Sequence, residues 1–509
     1  MPSSSFPFAR PPLGTLVRVA TMAALAGLLA SCGGGGGDKA GSDPYGIGLP
    51  DSDTLAQQCA MPRSGDKQGS LDTEKAWLRS WIDETYLWYQ DVRGLPPATL
   101  DPANSATPLD YFDKLKTTAT TASGKDKDKF HFIYPTPAWI ALSQSGVSFG
   151  YGYSLALVDD SPPDRVAVVA YVEPGSPAAV AGITRGTAIL NVDGAVVADG
   201  AKETLNAGLF PPAAGDHSFV IRDLGASTDR TVTLTAQAIA STPVPRVATL
   251  PAPNQSVGYI LFNDHVATSE AQLVAAINTL KAAAVTDLVL DVRYNGGGYL
   301  DIAAELAYMI AGPAHTSGKF FERLNYNNRD PFHQSLSERT TPFLDVSQGF
   351  SGPNGQVLPD LGLGRVFVLT SADTCSASES IVNGLRGAGV TVHLIGGTTC
   401  GKPYGFYPQD NCGTTYFAIQ FQGVNFVGFG DYADGFAPTC AVADDFSHAL
   451  GDPAENLLEV ALGLRNTGAC TASTSMRAQA LGIARKIESG PVLKRTPERE
   501  NRIYRLAPE

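Results

Sequence analysis

Three short segments carry residue types and spacings suited to acyl chemistry. Asp291-Val-Arg-Tyr-Asn-Gly-Gly-Gly-Tyr299 reads as a strand running into three glycines and then a helix. Glycines there let backbone N–H groups approach a reacting carbonyl, the requirement for an oxyanion hole. A phosphate-binding loop would also want glycines at a helix N-terminus, but the Lys-Ser/Thr ending of a P-loop is missing. In Leu369-Thr-Ser-Ala-Asp-Thr-Cys-Ser-Ala-Ser-Glu-Ser380, small residues crowd a strand-to-helix turn that would expose a hydroxyl. Read alone, such a serine is equally an N-cap. The third segment, Gly397-Thr-Thr-Cys-Gly-Lys-Pro-Tyr-Gly405, ends an apolar strand in a Gly-flanked lysine. A desolvated lysine can serve as base for a nucleophilic serine.

The runs SASE at 376–379, GGTTCGKP at 396–403 and DVRYNGGG at 291–298 resemble the tail-specific, carboxyl-terminal processing serine proteases. The resemblance covers about 144–465, with a family-like helical region ahead of it. It implies Ser376 as nucleophile and Lys402 as general base, with an oxyanion hole from the N–H groups of Ala377 and of Gly296 or Gly297. It also implies a crotonase-like α/β core preceded by a PDZ domain. Family members often carry Gln four residues after the lysine, and Phe406 stands there. A Ser-His-Asp triad is the competing mechanism. His265 and His393 lie in core elements but in no triad motif, and read as structural. No metal or organic cofactor is implied.

These residues need elements to hold them. Continuous apolar runs at 258–262, 287–293, 365–371 and 391–397 alternate with helical stretches at 269–285, 300–312 and 378–385. That alternation predicts an α/β core over 255–475. The stretch 313–364 reads as an insertion or long loop, 412–422 as one strand, and 428–440 as a groove-lining or disulfide-pinned loop. Residues 144–240 carry short strand-like runs around Glu173-Pro-Gly-Ser-Pro-Ala-Ala-Val-Ala-Gly-Ile183 and Arg185-Gly-Thr-Ala-Ile-Leu-Asn-Val-Asp-Gly194. This resembles a PDZ domain, although Thr187 occupies the usual aspartate position. Gly150, Tyr151, Gly152 and Tyr153 fall where such a domain turns N–H groups toward a terminal carboxylate. Pro243, Pro245, Pro251 and Pro253 make 240–256 a stiff connector. Residues 57–143 read as a helical N-terminal cap. Within it, Trp77, Trp81 and Trp88 share one helix over 71–92, capped by Asp72 or Thr73, and a shorter helix covers 108–116.

The first 31 residues hold Arg10, Arg18, no acid, and the 13-residue stretch VATMAALAGLLAS. That stretch is too short to span a bilayer and fits a secretory leader. Leu29-Ala30-Ser31-Cys32 resembles the bacterial lipoprotein cleavage box, implying lipidation at Cys32 and a membrane partner. A glycine-rich linker over 32–56 would tether the domains, and 476–509 would be a basic tail without assigned function. The expected location is the bacterial cell envelope, facing periplasm or exterior. Six further cysteines in an exported chain read as disulfides. Cys59–Cys470 is the preferred pairing, Cys400–Cys412 the most local option, and Cys375–Cys400 a candidate beside the catalytic residues. At 509 residues, 43% apolar and net charge −13, the chain is globular and multidomain. Its acidity argues against nucleic acid as partner. The expected activity is endoproteolysis of protein or peptide substrates with a free C-terminus; the alternative is a non-catalytic binder of peptides or apolar ligands.

Overall fold

The structure, a computed structural model, describes residues 48–157 and 162–471 and the backbone of 158–159 and 502–504. The leader, Cys32, the glycine run and most of the tail lie outside the described residues.

The tryptophan-bearing helix, α1 (Leu71–Thr85), starts one or two residues before the expected cap. Ser70 caps it, its hydroxyl accepting from Thr73 N while Thr73 Oγ1 accepts from Ser70 N. It also ends early, because Tyr86 is extended and the chain turns helical again only over Tyr89–Arg93. Trp77 and Trp81 stack with ring centroids 5.3 Å apart and pack on Tyr416, so the apolar stripe faces the main core. Helix α2 (Pro108–Lys114) adds Phe112 to the same cluster.

Residues 147–240 build a smaller antiparallel unit. Strands β1 (Val147–Gly150), β2 (Tyr153–Asp159), β3 (Val166–Val172), β4 (Ala188–Val192), β5 (Asp216–Arg222), β6 (Arg230–Thr235) and β7 (Gln237–Ala240) appear in chain order. The sheet order is β6-β5-β4-β3-β2, with β1 paired to β7. Val169, Ile189, Phe219 and Ile221 fill its core.

The large sheet has the order β8 (Arg246–Thr249), β9 (Val257–Leu261), β10 (Asp287–Asp291), β12 (Arg365–Thr370), β13 (Thr391–Gly396), β14 (Cys440–Ala441). All neighbours run parallel except β8 and β9. The expected connector thus contains an antiparallel edge strand. An edge tolerates the flanking Pro245 and Pro251, which a central strand would not. Both faces of the parallel strands are covered, which is why their sequences are continuously apolar. Ile260, Leu290 and Val368 face helices α3 (Ser269–Ala282), α4 (Leu300–Ala311) and α5 (Ala377–Gly387). Their sequence neighbours Tyr259, Val289 and Phe367 face α6 (Asn456–Thr467).

The expected loop over 313–364 instead contributes strands Phe320–Tyr326 and Thr340–Pro342 to a second, four-stranded sheet with Tyr404–Gly405 and Phe421–Val424. The expected single strand 412–422 is divided. Thr414–Phe417 closes a hairpin on Gln409–Asn411, turned at Gly413 with φ +84°.

Disulfides join Cys59–Cys412, Cys375–Cys400 and Cys440–Cys470. The Cys59–Cys470 and Cys400–Cys412 expectations are therefore incorrect, because tertiary folding puts the hairpin turn, not the chain end, beside Cys59. The Cys375–Cys400 pairing is present.

Candidate active site

Both glycine- and serine-rich segments leave the C-terminal ends of adjacent parallel strands, β10 and β12, where open α/β sheets hold their ligands. Side-chain-to-backbone bonds tie the two strand ends together. Thr374 Oγ1 donates to Val292 O at 2.9 Å, Ser371 Oγ donates to Arg293 O, and Ser378 Oγ donates to Asn295 O at 3.2 Å. Cys375 N donates to Asn295 O at 3.0 Å.

Ser376 stands immediately before α5 with φ +63°, outside the usual range for a residue with a side chain. It is fully buried, and its Oγ has no hydrogen-bond partner. An unpaired buried hydroxyl on a strained strand-to-helix turn is an arrangement that function, not stability, explains.

Lys402 is also fully buried. Its Nζ sits 4.2 Å from the Phe406 ring centroid and 4.8 Å from that of Phe130. Phe406, at the place of the family's frequent glutamine, therefore meets the lysine with an aromatic face instead of an amide.

Ser376 and Lys402 converge on one carboxylate. Glu379 Oε2 accepts from Ser376 N at 3.0 Å and from Lys402 N at 2.8 Å. Its Oε1 accepts from Thr399 Oγ1 at 2.5 Å and Gly401 N at 2.9 Å. Burial pushes its carboxyl above the ordinary glutamate range, against the pull of these four donors. The Cys375–Cys400 disulfide, with Cα atoms 5.2 Å apart, joins the same two segments. Sequence reasoning missed Glu379, although its place three residues after a serine at a helix start is the spacing of a capping box.

Of the expected oxyanion donors, Ala377 N and Gly296 N make no hydrogen bond within the described residues. Gly297 N is engaged, donating to Asn295 Oδ1 at 2.9 Å. Gly298 has φ +138°, and a Cβ there would lie 2.4 Å from His265 O, so glycine is required. Strand β11 (Gly297–Tyr299) pairs in parallel with the backbone of β15 (Arg502–Tyr504).

His265 lies against this strand. Asn295 donates through Nδ2 to Phe262 O, which turns Oδ1 toward His265 Nδ1 at 3.0 Å. Nδ1 must then be the donor, leaving Nε2 a bare, buried and unpartnered acceptor. Burial pushes this histidine down to about 3, so it is neutral at neutral pH. His393 is elsewhere, its ring stacked on Phe367 at 5.1 Å.

Among the described residues, Cys375, Glu379 and Cys400 are the one grouping compact enough for a metal ion, and its two sulfurs are bonded to each other. That chemistry disfavours a metal. Asp444 and Asp445 belong to other networks. Arg293, fully buried, donates to Asp291, Asp444 and Glu455, and Asp445 accepts from Ser447 and from His448 Nδ1.

The small unit reaches this site through Arg185. Its guanidinium donates to Tyr294 OH at 2.6 Å and Asp444 Oδ1 at 2.8 Å, and to the carbonyls of Ala170, Asp445 and His448. Tyr294 lies two residues before Gly296. The Gly150–Tyr153 segment lines a cavity of about 530 Å³, together with Phe149, Tyr171, Leu209, Phe210 and Ile239. Tyr151 N and Gly152 N donate no hydrogen bond within the described residues. Gly152 has φ +78°, and a Cβ there would sit 2.3 Å from Ser176 Cβ.

Residues 256–406 match the family model described as Peptidase family S41. The chain is 29% identical over 272 residues to a carboxyl-terminal-processing protease of Picosynechococcus sp., covering 52% of this chain and 56% of that one. It is 27% identical over 231 residues to a carboxyl-terminal-processing protease of Synechocystis sp., covering 45% and 47%. The chain thus spans about half the length of these curated relatives. It is also similar to a solved Bacteroides fragilis structure assigned to the S41 proteases, with TM-score 0.57 and 24% identity over 77% of this chain and 97% of that one. The likeness extends to the mixed α/β, multidomain fold.

Proposed function

We propose, from the match of residues 256–406 to the family model described as Peptidase family S41, that the chain is a serine endopeptidase acting on protein or peptide substrates. The observation that carries this reading is the shared Glu379 oxygen, which brings the backbones of Ser376 and Lys402 to within 3.0 Å of one atom. Ser376 Oγ attacks the scissile carbonyl as Lys402 Nζ takes its proton. Ala377 N–H and Gly296 N–H stabilise the oxyanion, each such donor contributing about 3–4 kcal/mol. Lys402 then protonates the departing amine. Water gives a proton to Lys402 as it attacks the acyl-enzyme, and Lys402 returns that proton to Ser376 Oγ as the acid product leaves, which restores both side chains.

The unit over 144–240 is read as a PDZ domain that docks a substrate's free C-terminus at Tyr151 N and Gly152 N or gates the site; the 530 Å³ cavity beside them supports this. Cys32 is read as the lipidated first residue of an envelope protein facing periplasm or exterior.

The test incubates the protein from Cys32 onward with an unfolded protein substrate, beside Ser376→Ala and Lys402→Ala. Loss of turnover in both variants is expected. Equal turnover by all three would remove the protease reading and leave the peptide-binding alternative. The bare Nε2 of His265 favours one second reading, in which that histidine, oriented by Asn295, is the base. If His265→Asn abolished fluorophosphonate labelling of Ser376 while Lys402→Met kept it, that reading would replace the lysine.

A further inference from the structure

We infer that the Glu379 carboxylate is a positioning residue, setting the nucleophile turn and the lysine segment in catalytic register. The inference rests on the Ser376/Lys402 reading. A carboxylate that merely capped α5 would take its donors from that helix. Here only Ser376 N belongs to the helix start, while Thr399 Oγ1, Gly401 N and Lys402 N come from a segment 20–23 residues away. Each oxygen accepts two bonds, so the carboxylate plane is fixed and both segments are held in orientation as well as distance.

Holding the backbones together does not require this carboxylate. The Cys375–Cys400 disulfide already does so, and burying a carboxylate is costly unless its bonds are made. What a disulfide leaves free is rotation of each segment about the crosslink. A rotation of that kind would swing Ser376 Oγ, on its positive-φ turn, away from the amine two residues beyond Cys400. The four-bond carboxylate removes that freedom.

The experiment uses the protein from Cys32 onward with a fluorogenic peptide and a fluorophosphonate probe. Glu379→Gln keeps the shape but places an amide NH₂ against two donors. The expected result is a kcat lower by about 10–100-fold, since misplacement by 1 Å can cost that much. KM should stay within about twofold, because substrate contacts are untouched. Fluorophosphonate labelling should slow in parallel, with the unfolding midpoint nearly unchanged. Thr399→Val removes one of the four bonds and should lower kcat by a smaller factor in the same direction; it decides the matter if Glu379→Gln does not fold. Wild-type kcat in the folded variants, or a loss explained by their unfolded fraction, would overturn the inference. Ser376→Ala is the control: turnover surviving it means the protease reading has failed, whereas turnover lost with it but kept in Glu379→Gln means only the positioning role has.

Discussion

The two regions that face substrate in the proposed reading are built on opposite principles. At the junction of β10, β12 and the Thr399–Lys402 segment, Ser376, Glu379 and Lys402 are all fully buried and tied by a disulfide and a four-donor carboxylate. At the Gly150–Tyr153 segment, a cavity of 530 Å³ opens between apolar walls. Chemistry gains from removing freedom, since reacting groups must be held to a fraction of an ångström. Docking of varied chain ends gains from a concave apolar surface with a few aimed N–H groups. One molecule can therefore be exacting about geometry at the bond it breaks while accepting many sequences at the end it grips.

The sharpest way to break this contrast is at the buried junction. Ser376→Ala should reduce turnover by at least about 10⁴-fold, as loss of a nucleophile does elsewhere, while peptide binding persists. Binding that vanished together with turnover would mean the two regions are not separable. A smaller effect is expected at the cavity. Phe210→Ala should raise KM about tenfold for substrates with a free C-terminal carboxylate and leave kcat on short internal peptides unchanged. A fall in kcat with constant KM would assign the cavity to the chemistry instead. Between the two regions stands Arg185. Arg185→Ala strands part of a buried charge network and should cost about 3 kcal/mol in urea unfolding. Stability within experimental error of wild type would show that Asp444 needs only Arg293, and Tyr294 only Asp444.

The same contrast separates what the sequence revealed from what it hid. The strands under the junction were legible because a parallel sheet covered on both faces must be apolar without interruption, as at Val257–Leu261 and Arg365–Thr370. The glycine turns were legible because a positive φ restricts which residues fit, whereas Ser376 was singled out only by the resemblance of SASE at 376–379 to the protease motif. Edge strand Arg246–Thr249 was hidden among prolines, since an edge needs only half its hydrogen bonds. Helix α1 was overextended because Trp88 keeps the helical period, yet its ring meets Tyr404 edge-on at 4.7 Å after the chain has straightened at Tyr86. Two disulfides were misassigned because pairing depends on which loops meet in space, and sequence distance does not encode that. Glu379 escaped notice because three of its four donors lie on another segment.

Burial of charge is the cost of the rigid region, and it gives the subtlest test. Glu305, on the helix that follows the glycine strand, lies buried beside the Glu270 carboxylate, and burial with that neighbour raises its carboxyl to about 9. Glu270 accepts the N–H groups of Gln348, Gly349, Ser351 and Gly352. It thereby fixes the turn that packs Phe350 against Tyr299, with ring centroids 4.6 Å apart and planes tilted by 43°, at the end of the glycine strand. Between the ordinary glutamate range and about 9, folded Glu305 holds a proton that the unfolded chain has released. The unfolded state binds fewer protons there, so stability falls as pH rises through that window, by up to about 1.4 kcal/mol per pH unit. Glu305→Gln removes this term. Urea unfolding of the variant and wild type at pH 5, 6, 7 and 8 should show the variant gaining on wild type at each step. Parallel curves would mean that Glu305 is ionised in the folded protein, and that the loop behind the glycine strand is held without a shared proton.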